Sequence, residues 1–194
     1  VIPLILSLRT DKPIVGVEIQ KSLSNLAEKS IRYNNLESQI SIINSDMKDY
    51  VTSDTIEEYD VITCNPPYFK VNDKNFFNEQ EEKMIARHEV CISLEDVIHT
   101  ASRLLKNNGN FAIVHRTERL LEIFDLFRKY HIEPKRIQFV HEKADKPSTL
   151  VLLEGTKHGK SGLKVEHPFI MYMKNGTKTS EYEKFLLEVK HETE

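Results

Sequence analysis

Apolar and polar positions along the chain switch repeatedly between a helical and an extended period. Val1–Leu8 (VIPLILSL) places Leu4, Ile5 and Leu8 on one face with Pro3 in a first turn, which predicts a core-facing helix. Ile14–Ile19 (IVGVEI) is a nearly continuous apolar run, the pattern of a strand buried on both faces. Gln20–Tyr33 returns to helical spacing through Leu23, Leu26, Ala27 and Ile31, and Ile40–Asn44 predicts a second strand ending at Ser45-Asp46. Tyr59–Cys64 (YDVITC) reads as a third strand. Leu94–Leu105 reads as a helix stopped by Asn107-Asn108-Gly109, and Asn110–Val114 as a fourth strand. Thr117–Tyr130 is helical through Leu120, Leu121, Phe124 and Phe127, with the two phenylalanines expected in the core. Arg136–Val140 and Thr149–Leu153 form a last strand pair around a polar turn at Ala144–Ser148.

Strands that alternate with helices call for an α/β fold with a largely parallel sheet covered on both faces. The late pair of strands adds an antiparallel strand, expected near one edge. No internal repeat or long linker interrupts the pattern, so residues 1–194 are expected to form a single domain. Its first helix has no strand before it, so the chain reads as truncated at its N-terminus.

Composition narrows the class. Hydrophobic residues make up 39% and charged residues 29%, enough apolar material for a core and too much for a disordered chain. Two cysteines, Cys64 and Cys91, cannot build a disulfide framework, which predicts a reducing, cytoplasmic setting. No apolar run reaches the roughly 18 residues needed to span a bilayer, so no membrane partner is expected. Charge is unevenly spread. Residues 1–100 hold ten basic against seventeen acidic side chains, whereas residues 101–165 hold thirteen against seven. A basic segment of that kind suits a polyanion or a solvated surface.

Open α/β sheets bind ligands at the carboxyl ends of their strands, so those positions carry the candidate chemistry. Glu18 ends the first strand, where a carboxylate accepts hydrogen bonds from the ribose hydroxyls of an adenosine cofactor; Ile19 lies beside it. Asp46 follows the second strand and can accept from the adenine amine, with Met47 against the ring. Asn65-Pro66-Pro67-Tyr68 follows the third. A planar amine has its lone pair tied up in conjugation and must be drawn towards tetrahedral geometry before it attacks a methyl donor. The Asn65 side-chain oxygen and the Pro66 carbonyl can accept its two hydrogens, proline holds those acceptors in place beforehand, and Tyr68 offers a stacking face. Read alone, the tetrad is a rigid polar turn. His88 and Cys91 are spaced like half of a metal site, but no second pair follows, so no metal is expected.

Asn65-Pro66-Pro67-Tyr68 resembles the fourth motif of class I S-adenosylmethionine-dependent amino-methyltransferases. The wider set is similar to one bacterial family, the tRNA (adenine-37) methyltransferases acting beside the valine anticodon. It comprises the tetrad with Phe69, then Ala86-Arg87-His88-Glu89, then Leu150–Leu153 with Glu154-Gly155, Lys157, Lys160, Gly162-Leu163 and Pro168. The resemblance implies a Rossmann-like class I methyltransferase sheet lacking its first strand, since the family's glycine-rich first motif is absent from this chain. It implies S-adenosyl-L-methionine as cofactor and tRNA as partner. It also implies a substrate-facing loop with Phe69 and Arg87 near the target base. The RNA backbone would lie on the basic segment, with Arg116, Arg119, Lys143, Lys146, Lys157 and Lys160, and Lys164 nearby, as phosphate contacts. Two alternatives stay open: methylation of a glutamine amide on a translation factor, which the same tetrad serves, and a catalytically silent RNA-binding domain of the same fold.

Overall fold

The computed structural model describes residues 1–52, 54–68 and 92–188. They gather into two compact units, one built on residues 1–52 with 186–188 and the other on residues 54–185. The expected sites at Phe69, Arg87, His88 and Cys91 lie outside the described residues.

The first unit holds helix α1 (Ile2–Ser7), strand β1 (Ile14–Val17), helix α2 (Lys21–Tyr33) and strand β2 (Ile40–Ile43). β1 and β2 pair in parallel with Ile14 opposite Ile40 and Val17 opposite Ile43. A parallel pair needs a crossover, and α2 supplies it. Gly16 permits a close approach: a Cβ there would lie 2.8 Å from Ile42 Cδ1 and 3.4 Å from Pro3 Cγ. α1 therefore rests on β1 through Pro3, although none of its residues is fully buried.

The second unit is built on a six-stranded sheet. Its members are β3 (Tyr59–Cys64), β4 (Leu105–Arg116), β5 (Ile132–Lys143), β6 (Leu150–Lys157), β7 (Lys164–Val165) and β8 (Phe169–Tyr172). The order is β3-β4-β6-β5-β7, with β8 also on β5. β3 runs parallel to β4, and β7 and β8 run parallel to β5. β6 is antiparallel to both β4 and β5. The sheet is thus mixed, and its antiparallel strand β6 lies between β4 and β5, with only the short β7 and β8 beyond β5. The short β7 and β8, which the apolar pattern does not announce, pair on the outer side of β5.

Helix α3 (Leu94–Leu104) begins with a capping box: Ser93 Oγ accepts from Asp96 N, and the Asp96 carboxylate accepts from Ser93 N. Asn107-Asn108-Gly109 does not stop it. The chain is already extended at Leu105, and those residues lie in a bulge of β4, where Tyr59 pairs with Leu105 but Val61 pairs with Asn110. Asn108 takes φ +63° there, a conformation asparagine tolerates better than most residues. The expected helix 117–130 is a 3₁₀ turn (Thr117–Arg119) followed by α4 (Leu120–Lys129), and α5 (Ser180–Glu188) closes the described chain.

The core lies where α3 and α4 cover the sheet: Val97, Ile98, Ala101, Ile123 and Phe127 from the helices meet Phe111, Ile113, Ile132, Val151 and Leu153 from the strands. Phe127 is fully buried and Phe124 half-buried. A Cβ at Gly155 would lie 2.6 Å from Ile132 Cγ2 and 2.8 Å from Phe127 Cε2, so only glycine lets the Phe127 ring seat on β6. Among the described residues no helix is long and apolar enough to cross a membrane.

Candidate active site

In the first unit, the expected cofactor carboxylates stand at the exits of β1 and β2. Glu18 N donates to Ile43 O at 3.0 Å, extending the parallel ladder by one bond. The Asn44 amide then donates to the carbonyls of Glu18 (2.8 Å) and Ile19 (3.0 Å), which pins the two exits together. The half-buried Glu18 carboxylate accepts from Gln20 N at 2.8 Å through Oε1, at the entry to α2. Its Oε2 has no hydrogen-bond partner among the described residues, which suits a diol approaching from the strand ends.

Asp46 is more committed to its own turn. Its Oδ1 accepts from Lys48 N at 2.8 Å, its Oδ2 lies 3.8 Å from Lys48 Nζ, and its carbonyl accepts from Asp49 and Tyr50 N–H groups. Ile19 is exposed and Met47 half-buried beside these carboxylates. Asn44 is the residue that sequence reading missed; a polar side chain directly after a buried strand was its signal.

In the second unit, the Asn65-Pro66-Pro67-Tyr68 turn leaves β3 at its carboxyl end. Pro66 is buried and fixes the turn, while Asn65 is exposed. The Tyr68 hydroxyl donates to Asn65 Oδ1 at 2.9 Å. β4 ends beside this turn, since Cys64 pairs with Ile113. The Tyr68 ring meets His115 edge-on with centroids 5.4 Å apart, and the Arg116 guanidinium lies 5.3 Å from the Tyr68 centroid, a cation–π distance.

His115 is almost completely buried and was not among the residues picked out from the sequence. It continues the inward alternation of Phe111 and Ile113 by one more step, and that continuation was its signal. Burial, and then the Arg119 charge, hold its imidazole below the usual histidine range. Burial also pushes the Cys64 thiol up to about 12, so the residue before Asn65 is an inert thiol rather than a nucleophile.

The basic segment divides into exposed and buried side chains. Arg116 is exposed beside Tyr68. Lys143 ends β5 opposite Tyr172, and Lys146 is exposed in the following turn. The β4–β6 register puts Arg116 opposite Leu150 and Asn110 opposite Thr156. Lys157 therefore lies at the other end of β6, about 20 Å along the strand from the level of Arg116.

Two expected phosphate contacts are occupied elsewhere. Lys157 is 7% exposed, and its ammonium donates to Leu105 O at 2.8 Å and Glu57 Oε1 at 3.0 Å. Arg119 is 9% exposed and forks onto the Glu122 carboxylate. Both cations are buried and hold acceptors within the fold. Lys160 is exposed, with its carbonyl accepting from Lys135 Nζ. Lys164 pairs with Glu166 at 2.9 Å. Among the described residues no group of three or more His, Cys, Asp or Glu gathers to hold a metal.

No family model matches the chain. In sequence it is 27% identical over 153 residues to a Parabacteroides distasonis protein named tRNA1(Val) (adenine(37)-N6)-methyltransferase, covering 79% of this chain and 63% of that protein. The chain thus spans less than two thirds of this relative's length. In structure it is similar, with a TM-score of 0.70 and 16% identity, to an Agrobacterium tumefaciens protein described as a predicted O-methyltransferase, covering 98% of this chain and 83% of that one. Geranyl diphosphate C-methyltransferase from Streptomyces coelicolor, solved with S-adenosyl-L-homocysteine, matches with a TM-score of 0.56 and 10% identity over 80% of this chain and 68% of its own. The chain has the fold of the class I S-adenosylmethionine-dependent methyltransferases, and its sequence resembles bacterial proteins named as tRNA1(Val) adenine-37 methyltransferases.

Proposed function

We propose that the protein transfers a methyl group from S-adenosyl-L-methionine to the exocyclic amine of an adenine in tRNA, next to the anticodon. The observation that carries this reading is the Asn65–Tyr68 turn: an exposed Asn65 whose side-chain oxygen accepts from the Tyr68 hydroxyl, followed by a buried proline, at the carboxyl end of a strand in this fold. The named relatives supply the substrate class.

The donor set in the first unit fits the cofactor. The second carboxylate oxygen of Glu18 is available for ribose hydroxyls, and Asp46 with Met47 is suited to the adenine. When bound, the cofactor supplies an electrophilic methyl group. Asn65 Oδ1 and the Pro66 carbonyl accept the two hydrogens of the target amine, which withdraws its lone pair from the ring and aims it. Tyr68 stacks on a base that has left its own stack, an interaction worth about 1–3 kcal/mol. Arg116, Lys143 and Lys146, at the carboxyl ends of β4 and β5, hold the phosphate backbone, and Lys160 contributes only if the RNA reaches the other end of the sheet.

A second reading is methylation of a glutamine amide, because the same acceptors serve an amide nitrogen. A radiolabelled methyl-transfer assay offering unmodified tRNA and a glutamine-bearing peptide in parallel separates the two. Label in adenine of the tRNA supports the proposal. Label confined to the peptide overturns it, and binding of RNA without any transfer would return the silent RNA-binding reading.

A further inference from the structure

The Asn65 amide has to present its oxygen, and not its nitrogen, to the incoming amine, and nothing in the backbone of an exposed turn dictates that choice. The side chains around it do. The phenol of Tyr68 donates to Asn65 Oδ1, which turns the amide nitrogen away and leaves the second lone pair of the oxygen for a substrate hydrogen. The phenol reaches that oxygen only if the ring keeps its pitch, and the ring is held by the last residues of β4. His115 meets it edge-on at 5.4 Å and Arg116 lies 5.3 Å from its centroid.

His115 is itself fixed. Its Nδ1 accepts from Arg116 N at 2.8 Å, which puts the imidazole proton on Nε2, and Nε2 is buried with no partner among the described residues. A buried donor left unpaired is unfavourable. The ring is kept there by what it packs against, and Tyr68 is part of that packing.

We propose that His115 is a positioning residue, whose ring sets the pitch of Tyr68 and thereby holds the Tyr68 hydroxyl on the Asn65 oxygen that the target amine meets. The inference rests on the amino-methyltransferase reading for its consequence, while the relay His115–Tyr68–Asn65 exists whichever amine is the substrate.

Two substitutions take the two properties of His115 apart. His115→Asn keeps an acceptor for the Arg116 N–H but removes the ring; His115→Phe keeps the ring and removes the acceptor. The side-chain amide resonances of Asn65, followed by ¹⁵N–¹H NMR on the full chain, report the relay without any need for turnover. Tyr68→Phe should move them, His115→Asn should move them in the same direction, and His115→Phe should restore them. In single-turnover methyl transfer at saturating substrate, His115→Asn should lose about ten-fold in rate, about 1.4 kcal/mol. Adding Tyr68→Phe should cost nothing further, and His115→Phe should recover most of the loss. Asn65 resonances unmoved in His115→Asn, or losses that multiply with Tyr68→Phe, would overturn the proposal. If His115→Asn fails to fold, a His115→Phe variant whose Asn65 resonances match those of Tyr68→Phe overturns it equally, whereas wild-type resonances there uphold it. Failure of the tRNA reading shows separately, as wild-type transfer to a glutamine peptide or to nothing, and leaves the NMR arm readable.

Discussion

Lys157→Met separates a structural lysine from an RNA-binding one. The side chain is 7% exposed, and its ammonium holds Leu105 O at 2.8 Å and Glu57 Oε1 at 3.0 Å. The Glu57 side chain is 49% exposed, so that ion pair is screened and contributes at most about 1 kcal/mol. The hydrogen bond to Leu105 O has a charged donor and a buried setting, and such bonds contribute about 1.5–3 kcal/mol. Methionine keeps the apolar stem and deletes the ammonium, leaving the carbonyl unpaired. The expected loss is about 2 kcal/mol, which for a chain of this size lowers Tm by about 4–8 °C. Differential scanning fluorimetry reads the shift. Filter binding to tRNA across a salt series reads the alternative, in which a lost phosphate contact flattens the slope of log affinity against log salt by about 0.9. A variant that melts with the wild type and binds RNA with a flattened slope would refute the structural assignment. Wild-type slope with a lowered Tm is the expected result.

Three further outcomes follow from the same geometry. Gly155→Ala should destabilise the protein by about 1–3 kcal/mol in urea unfolding, because its Cβ lands on Ile132 and Phe127. Glu18→Ala should weaken S-adenosyl-L-methionine binding by about 1.5–3 kcal/mol in calorimetry, the scale of hydrogen bonds to a charged group. The depressed His115 value means that below about pH 6.5 the unfolded state binds the proton first. Stability should therefore fall as the pH drops through that window, more steeply in the wild type than in His115→Phe, as Tm measured between pH 5 and 7.5 would show.

Much of the fold is legible in the sequence where one physical signal dominates. Strands β1, β2 and β3 are short apolar runs, and α2, α3 and α4 carry a clean helical face, so each appears within a residue or a few of its expected place. Legibility ends where long-range pairing decides. β5 and β6 extend well past Arg136–Val140 and Thr149–Leu153 because each finds a partner along its whole length, including the polar stretches. β7 has two residues and exists only because β5 offers an edge. The interior place of β6 depends on which strands it pairs with, and periodicity carries no such information.

The candidate site divides in the same way. Asn65-Pro66-Pro67-Tyr68 stands out because two prolines and an aromatic directly after a buried strand need a chemical reason. Lys157 looks like a surface charge until the inward alternation Val151, Leu153, Gly155 is carried one step further, and His115 likewise follows Phe111 and Ile113. Both are polar residues on core-facing positions, where residue type misleads and strand period does not.

The central claim is that Asn65 holds the amine that receives the methyl group. Its most direct test is mass spectrometry of nucleosides from unmodified tRNA incubated with S-adenosyl-L-methionine and either the intact protein or its Asn65→Ala variant. The account predicts N6-methyladenosine with the wild type and a loss of at least 100-fold in rate with the variant, the scale of removing one preorganised polar group, about 2.7–4 kcal/mol, while calorimetry finds cofactor affinity unchanged. Near-normal methylation of adenine by Asn65→Ala would contradict it.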